Sequence, residues 1–348
     1  MTSAPSGLRG RVKCVVWDLD GTIWDGVLLE DDHVAINDDV VAAIRELDKV
    51  GILHSISSKN DHDLAMARLE KADLAEYFLC PQINWNPKSD SIRHIASSLN
   101  IGIDAFAFVD DQDFELAEVG YALPEVLRVR ADEVADAVRC PEFRPRFVTS
   151  ESRERRQMYL ASAARDDAEH GYAGPNEEFL ATLGMRMRIS RAGPDDLQRA
   201  EELTVRTNQL NSTGRTFGFA DLEELRTSPS HLVLLASLED RFGSYGKIGL
   251  ALVQEGEPAW TLRLLLMSCR VVSRGVGTVL LNHVMRLARE AGVGLRAEFV
   301  PTGRNRIMYL TFMMAGFREV TEADGATVLE SALEHIQPPP SYLTVEAG

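Results

Sequence analysis

The sequence lacks the features that would place the protein in a membrane, in an oxidising compartment or on nucleic acid. No apolar run is long enough to span a bilayer, and the opening MTSAPSGLRGR lacks the apolar core of a signal peptide. A formal charge of −16 argues against nonspecific nucleic-acid binding, which needs a basic face. The few cysteines lie far apart and form no metal-ligand pattern: Cys14, Cys80, Cys140 and Cys269. We therefore expect a cytoplasmic protein with free thiols that binds neither membranes nor nucleic acid.

Regular alternation of strand-like and helix-like segments is present in the first part of the chain. The 348 residues suffice for two domains, and 45% apolar with 26% charged residues is typical of a globular protein. Short apolar runs (VKCVVWDL, ILHSIS, YFLCPQI, AFAFVDD) alternate with segments of helical spacing. This pattern predicts an α/β domain in which helices cover both faces of a parallel sheet.

The alternation breaks at RCPEFRPR, and SRERRQMYLASAARDDAEHG has the spacing of a connecting helix. Beyond it, helices are followed by several strands, a glycine-containing turn and a long helix, which predicts a second α/β domain. The predicted organisation is a first domain at 1–140, a helical linker at 141–175, a second domain at 176–335 and a tail at 336–348.

Polar side chains follow three predicted strands of the first domain where each strand ends. Asp18, Ser58 and Asp110 occupy these positions, and the carboxyl ends of parallel strands meet at one sheet edge. Covalent phosphoryl transfer needs a carboxylate nucleophile, a general acid/base and cations that neutralise the phosphate. We predict that Asp18 is the nucleophile and that Asp20, two residues on, is the general acid/base.

The other groups of this predicted site follow from the same chemistry. Thr22 is expected to fix Asp20 through a hydroxyl hydrogen bond, and Ser58 and Lys88 are expected to hold the phosphate. Carboxylate oxygens are suitable ligands for Mg²⁺, a hard cation. The predicted Mg²⁺ ligands are Asp18, Asp20, Asp110 and Asp111.

This set resembles the four motifs of the haloacid dehalogenase (HAD) superfamily. The motifs stand here as Asp18-Leu19-Asp20-Gly21-Thr22, Ser58, Lys88 and Asp110-Asp111. Only 35 residues separate Thr22 from Ser58, and 29 separate Ser58 from Lys88, so a separate cap domain does not fit between the motifs. An open site of this kind admits a large substrate, or a small one presented by another protein or domain.

The glycine turn of the second domain, SRGVG, lies between a strand and a long helix, where backbone N–H groups can bind a pyrophosphate. A structural glycine turn explains the same pattern. Its context, with Asn305 and a terminal AGF, resembles the GNAT acyltransferase fold. Two positions depart from ordinary acetyl-CoA chemistry: Val279 replaces a small residue, and Phe312 stands where many GNAT enzymes have a tyrosine acid, with Tyr309 one turn earlier.

The two halves together resemble the FkbH-like HAD-IIIC family over most of residues 11–320. The resemblance lies in SSKND, INW followed by Lys88, FVDDQDFE, RTNQLNSTGR, FGSYGKIG and MSCRVVSRGV. It implies a capless HAD domain fused to a GNAT-like domain, and a glyceryl transferase/phosphatase of polyketide or antibiotic biosynthesis. Members remove phosphate from 1,3-bisphosphoglycerate, a small three-carbon substrate, and load glyceryl onto the phosphopantetheine thiol of an acyl or peptidyl carrier protein.

Candidate substrate-binding residues occur in both halves. In the first they are Gly21, Trp24, Ser57, Lys59 and Asn60; in the second they are Asn208, Gln209, Cys269, Arg270, Arg274, Gly275, Gly277 and Asn305. Packing and helix capping explain several of them equally well.

The sequence departs from the family pattern at three places in the first domain. Gly21 replaces an asparagine, the flap is shorter, and Ser57 stands where many members have a cysteine that accepts the glyceryl group. A serine hydroxyl is a far poorer nucleophile than a partly ionised thiol. Three alternatives therefore stay open: a phosphatase acting on another phosphorylated intermediate, a GNAT-type N-acyltransferase with a structural HAD domain, and a noncatalytic scaffold that binds a carrier protein.

Overall fold

The computed structural model describes residues 11–31, 34–145, 148–207, 209–323 and 325–348. The chain divides into two compact units, Met1–Ala163 and Ala164–Gly348. The division falls within the predicted linker 141–175 and inside one helix, Arg155–His170. None of the described helices is long and apolar enough to cross a membrane.

The first unit contains a five-stranded sheet, a two-stranded flap and surrounding helices. Its elements are β1 (Cys14–Trp17), β2 (Trp24–Asp25), β3 (Ala35–Ile36), α1 (Asp38–Lys49), β4 (Leu53–Ser58), α2 (His62–Lys71), β5 (Gln82–Ile83), α3 (Lys88–Leu99), β6 (Phe106–Asp110), α4 (Asp113–Ala122), β7 (Leu127–Arg130), α5 (Val134–Ala137), α6 (Ser150–Arg153) and α7 (Arg155–His170). The strand order is β5-β4-β1-β6-β7, and β1 pairs in parallel with both β4 and β6.

The central strand β1 is buried on both faces because its four residues, CVVW, alternate between two apolar clusters. Val15 and Trp17 pack with α1 and α2 on one face, whereas Cys14 and Val16 pack with α3 and α4 on the other. An all-apolar strand of this kind is what a sheet covered on both faces requires. Because both faces of the sheet are covered, Asp18, which directly follows β1, emerges at the carboxyl edge of the sheet.

The second unit is built on an eight-stranded mixed sheet. Its elements are α8 (Asn176–Thr182), β8 (Met185–Arg191), α9 (Leu197–Arg206), α10 (Phe219–Thr227), β9 (His231–Asp240), β10 (Gly243–Gln254), β11 (Ala259–Met267), α11 (Val276–Glu290), β12 (Gly294–Phe299), α12 (Arg306–Met314), β13 (Phe317–Ala323), β14 (Ala326–Ser331) and β15 (Leu343–Ala347). The order is β13-β14-β12-β11-β10-β9-β8-β15, with β11–β12 and β8–β15 parallel and the other pairs antiparallel.

These topologies confirm the predicted fold class, a parallel-sheet α/β domain followed by a second α/β domain. Two local differences appear. In YFLCPQI only Gln82–Ile83 is a strand, because Cys80 has a positive φ of 49° that breaks the extended backbone. The segment predicted as a tail, 336–348, ends in β15, which pairs along its whole length with β8.

Candidate active site

Three carboxylates meet at the carboxyl edge of the first sheet. Asp18 follows β1, Asp110 ends β6, and Asp111 comes next; one oxygen from each lies within 4.8 Å of the others. The parallel pairing of β1 with β6 produces this, since the Asp18 N–H donates to the Val109 carbonyl at 2.9 Å. Among the described residues, these three carboxylates are the group of potential metal ligands that lie close enough together to hold one cation.

Lys88 joins two of these carboxylates. It is the first residue of α3, and its buried Nζ donates to Asp18 Oδ1 at 2.5 Å and to Asp110 Oδ2 at 3.0 Å. Burial acts to lower the pKa of Lys88, but the two carboxylates outweigh it and leave that pKa above its usual range. Lys88 therefore carries a permanent positive charge at the base of the site.

One ammonium does not balance the charge of three carboxylates, and burial raises the pKa of each of these carboxyl groups. Burial raises the pKa of Asp18 to about 6, with Lys88 opposing the shift and Asp110 adding to it. Burial also raises the pKa values of Asp110 and Asp111. Asp111 Oδ1 is buried without a hydrogen-bond partner among the described residues. Unpaired oxygen ligands with excess negative charge fit a divalent hard cation such as Mg²⁺.

Asp20 lies apart from this group, and its two oxygens accept N–H donors from the protein. Trp24 Nε1 donates to Oδ1 at 2.7 Å, and Asn60 Nδ2 donates to Oδ2 at 3.0 Å. Among the described residues, the group of side chains close enough to share a cation does not include Asp20, so Asp20 is removed from the predicted Mg²⁺ ligands. Trp24 and Asn60, predicted to touch substrate, contact Asp20, and their contact with substrate stays a prediction.

The predicted hydrogen bond from Thr22 to Asp20 is absent. The Thr22 hydroxyl is fully buried and has no partner among the described residues, because the turn after β1 directs it into the core. The Thr22 N–H donates to the Leu19 carbonyl at 3.2 Å within that turn. Thr22 therefore belongs to the packing beneath the loop.

Gly21 has a conformation and a neighbour that exclude a side chain. Its φ is +66°, and a Cβ there would stand 2.5 Å from Asp111 Oδ2. Gly21 thus lets the loop approach the Asp111 carboxylate closely.

We expect Gly21→Ala to lower the free energy of unfolding by about 1–2 kcal/mol through left-handed backbone strain, and to weaken Mg²⁺ binding by displacing Asp111. Calorimetric titration with Mg²⁺ measures the second effect. Gly184→Ala is the matched control, since Gly184 has φ +63° and open space around its Cβ position. Equal Mg²⁺ affinity in both variants would contradict the assigned contact.

The carboxyl end of β4 carries three further predicted residues. Ser58 ends β4 beside β1 and is buried, and the Ser57 hydroxyl is buried without a partner among the residues described. Lys59 pairs with Glu115 Oε1 at 2.6 Å. Glu115 was not foreseen from the sequence; its position in α4, four residues after Asp111, was the available signal.

The second unit places the predicted glycine turn at the start of α11. Gly275 has φ +73° and caps this 15-residue helix, while Gly277 lies within its first turn. A crevice next to the turn has mostly apolar walls, formed by Leu210, Met267, Val271, Thr278, Ile307 and Thr311 among others. The start of α11, which has no side-chain cap hydrogen bond, lies beside this apolar surface.

Several residues predicted to bind substrate here are instead used by the fold. Arg274 is buried and pairs with Glu169 at 3.1 Å. The Asn305 amide is also buried; it donates to the carbonyls of Asn211 and Val300 at 2.9 Å and accepts from the Thr302 N–H. Asn305 is corrected to a structural role because the main chain uses its whole amide group. Arg274 Nη1 is buried without a hydrogen-bond partner among the described residues, so its role in substrate binding stays a prediction.

The remaining predicted residues of this unit differ in what can be said of them. Gln209 is exposed, and Arg270 Nε donates to Ser268 Oγ at 3.3 Å. Asn208 and the side chain of Cys269 lie outside the described residues. The Phe312 ring is fully buried, and the Tyr309 hydroxyl donates to Glu319 Oε1 at 2.7 Å.

A short segment, 210–213, fills the gap where β11 and β12 separate. The two strands pair only as far as Leu262 and Ala297. Beyond that point the Ser212 N–H donates to the Leu265 carbonyl at 2.9 Å, and the Val300 N–H donates to the Ser212 carbonyl at 3.0 Å. These strand edges are therefore already paired within the chain and are not free to accept an added strand or an amide-containing arm.

We expect Ser212→Ala to lower the free energy of unfolding by about 1–3 kcal/mol, because Ser212 Oγ accepts the buried Leu265 N–H at 3.0 Å. Faster hydrogen exchange at the Leu265 amide is the local readout. Ser237→Ala on β9 serves as the control, since it deletes a hydroxyl without deleting a described hydrogen bond. A loss no larger than that of the control would contradict the role of the segment.

Comparison with known proteins gives partial likenesses. No protein-family model and no curated protein matches the chain. Among solved structures, it is similar to the N-terminal part of BF1531 from Bacteroides fragilis, which contains a phosphatase domain and was complexed with Mg (29% identity, TM-score 0.32). That match covers 34% of this chain and 35% of the other, so the chain spans about a third of that protein's length.

Two acetyltransferases are also similar. The ribosomal-protein-S18-alanine N-acetyltransferase from Escherichia coli is 18% identical over 41% of this chain and 90% of its own, with a TM-score of 0.33. The PaiA N-acetyltransferase from Thermoplasma acidophilum, solved with coenzyme A, is 14% identical over 42% of this chain and 98% of its own, with a TM-score of 0.35. The structural neighbours thus include both kinds of domain that the sequence predicts.

Proposed function

We propose that the chain is a Mg²⁺-dependent phosphatase whose first unit forms an aspartyl-phosphate on Asp18. The observation that carries this proposal is the buried Lys88 ammonium, which bridges Asp18 and Asp110 beside the unpartnered Asp111 oxygen. A noncatalytic scaffold would gain no stability from so many buried charges, because burying charges costs free energy unless they are well paired.

In the proposed reaction, an Asp18 oxygen attacks phosphorus while the bond from phosphorus to the leaving oxygen breaks. Asp20 delivers a proton to that leaving oxygen. Asp20 then takes a proton from water as the water oxygen attacks phosphorus. The bond to Asp18 breaks, inorganic phosphate leaves, and the Asp18 carboxylate is restored. Ser58 and Lys88 hold the phosphate oxygens throughout.

Asp18, Asp110 and Asp111 would hold the Mg²⁺ ion. When bound, Mg²⁺ offsets the negative charge that phosphate and the three carboxylates bring together. The chain's own contribution is to fix those carboxylates on β1 and β6, and to supply the Lys88 charge through α3.

The finer proposal is that the phosphatase acts in loading a three-carbon acyl unit onto a carrier protein in secondary metabolism. The FkbH-like resemblance and the short distances between motifs support it. The phosphopantetheine thiol attacks the acyl carbon, the bond from that carbon to the 1-phosphate oxygen breaks, and phosphate leaves with the thiol proton. The Asp18 reaction removes the 3-phosphate with water, so the final products are a glyceryl thioester and two phosphates. Ser57 weakens the case for a covalent glyceryl intermediate on this chain, and a phosphatase on another phosphorylated intermediate is the alternative.

An acyl-CoA N-acyltransferase is less well supported. The gap between β11 and β12 is filled by the segment 210–213, and Phe312 has no hydroxyl to act as an acid. The crevice beside Gly275 is the surface of this unit best suited to a pantetheine arm.

Incubation with Mg²⁺, 1,3-bisphosphoglycerate and a holo acyl carrier protein tests both levels of the proposal. We expect phosphate release that stops with a chelator, and a carrier that gains the mass of one glyceryl group by intact mass spectrometry. Phosphate release without the adduct would reject the loading step and retain the phosphatase. Phosphate release that persists with a chelator would reject the metal-dependent mechanism.

A further inference from the structure

The Asp20 carboxylate is held by three N–H donors from two parts of the chain. Oδ1 accepts from Trp24 Nε1 at 2.7 Å and from the Leu28 N–H at 3.1 Å. Oδ2 accepts from Asn60 Nδ2 at 3.0 Å. The two donor side chains, Trp24 and Asn60, are buried, whereas Asp20 is partly exposed.

Both side chains are oriented by contacts of their own. The Trp24 indole is fully buried in the first unit's apolar core, and an indole N–H can only donate. The Asn60 Oδ1 accepts from the Asp61 N–H at 2.8 Å, which turns the amide nitrogen toward Asp20. Asp61 in turn caps the start of α2. Each donor is thereby fixed by an element that does not depend on Asp20.

The two Asp20 oxygens differ in the number of hydrogen bonds that each can still accept. A carboxylate oxygen has two in-plane lone pairs. Oδ1 uses both for Trp24 and Leu28, whereas Oδ2 uses one for Asn60 and keeps one. A transferable proton on Oδ2 would leave all three N–H bonds in place, whereas one on Oδ1 would displace a donor.

We propose that Trp24 and Asn60 are positioning residues that fix the Asp20 carboxylate and assign proton transfer to its Oδ2. The proposal rests on the proposed role of Asp20 as general acid/base. Each of the two acts by restricting rotation of the Asp20 side chain. A freely turning carboxyl group would present its proton in the wrong direction for part of the time, which slows the step that uses it.

A leaving-group series separates positioning from general damage. An alkyl phosphate needs a proton on its leaving oxygen as the bond breaks, whereas p-nitrophenyl phosphate needs little help because its leaving group is stable as an anion. For Trp24→Phe and for Asn60→Ala, we expect kcat/KM to fall about tenfold further on an alkyl phosphate than on p-nitrophenyl phosphate. Phenylalanine retains the aromatic packing, and both variants are compared at temperatures below their midpoints of unfolding.

Trp17→Phe is the matched control for loss of a buried indole N–H. Trp17 lies in the same core, and its Nε1 donates to His54 Nδ1 at 3.0 Å, away from Asp20. We expect the kcat/KM of Trp17→Phe to fall by a similar factor on the alkyl phosphate and on p-nitrophenyl phosphate. A uniform loss in Trp24→Phe and Asn60→Ala as well would overturn the positioning role.

The same assay distinguishes failure of this inference from failure of the proposed function. Asp18→Asn is included on both substrates and is expected to abolish both activities. If Asp18→Asn retains activity, the aspartyl-phosphate mechanism is wrong, and the positioning inference fails with it. If Asp18→Asn is inactive and the two positioning variants show no leaving-group dependence, only the inference about Trp24 and Asn60 is overturned.

Discussion

Asp18→Asn is expected to lower phosphate release by about 10⁴-fold or more, because the amide cannot act as the nucleophile that forms the acyl phosphate. The variant keeps the shape of the side chain and removes the negative charge that Lys88 Nζ contacts at 2.5 Å. Steady-state phosphate release with saturating Mg²⁺ measures the loss. Residual activity within about tenfold of the unsubstituted protein would contradict a covalent role for Asp18.

The same substitution has a predicted effect on stability that depends on pH. Burial raises the pKa of Asp18 to about 6 from the ordinary 3.8, so the folded protein binds this proton more tightly than the unfolded chain does. The stability that this proton contributes is therefore present below about pH 4 and is lost as the pH rises through about 6. Without Mg²⁺, raising the pH from about 4 to above about 6 should lower the Tm of Asp18→Asn less than the Tm of the unsubstituted protein.

Thermal unfolding in a chelator between pH 4 and pH 7 measures the difference between the two proteins. A Tm gap that widens in favour of the unsubstituted protein as the pH rises would contradict the direction of the Asp18 pKa shift. At pH 7, added Mg²⁺ should reduce the difference in Tm between Asp18→Asn and the unsubstituted protein. A bound cation stabilises the buried Asp18 charge that only the unsubstituted protein carries.

Lys88→Met is expected to lower the free energy of unfolding by about 3–5 kcal/mol at pH 8, because it leaves two buried carboxylates without their partner. Lys88 Nζ contacts both Asp18 and Asp110, and all three side chains are at most 5% exposed. Denaturant unfolding without Mg²⁺ measures this change. The loss of unfolding free energy should be smaller at pH 5, where the carboxylates take up protons. Lys88→Met should also lower phosphate release, because the phosphate loses a positively charged partner.

Arg93→Met is the control on the same helix. Arg93 pairs with Asp90 at 2.9 Å, but both side chains are about half exposed or more. Exposed pairs contribute about 0–1 kcal/mol, so this variant should unfold nearly as the parent does. If Lys88→Met cost no more than Arg93→Met, the electrostatic role assigned to Lys88 would be rejected.

The arrangement of the first site could be predicted from the sequence because it depends on topology. Asp18, Ser58 and Asp110 each end a strand, and parallel strands in one sheet present those ends at one edge. The partners of Asp20 could not be predicted in this way. Their identity depends on the path of the turn after β1 and on side-chain rotamers, which placed Trp24 against Asp20 and turned Thr22 into the core.

The second unit shows where motif resemblance did not identify roles. Arg274 and Asn305 belong to patterns that indicate ligand binding, yet Arg274 pairs with Glu169 and the main chain around Asn211 uses the Asn305 amide. The contact between Ser212 and Leu265 joins residues 53 positions apart. Sequence periodicity reports only local neighbours, so a segment that fills a gap in a distant part of the sheet leaves no periodic signal.

The most direct test of the account is to trap the phosphorylated protein and find the modified residue. Asp20→Asn should slow hydrolysis of the intermediate, since water loses its general base. After reaction with a phosphorylated substrate, acid quench and trypsin digestion, the peptide of residues 14–45, which contains Asp18, should gain one phosphoryl group. Asp18→Asn should gain none. A phosphoryl group found instead on peptide 50–59, which contains Ser57 and Ser58, would contradict the central claim.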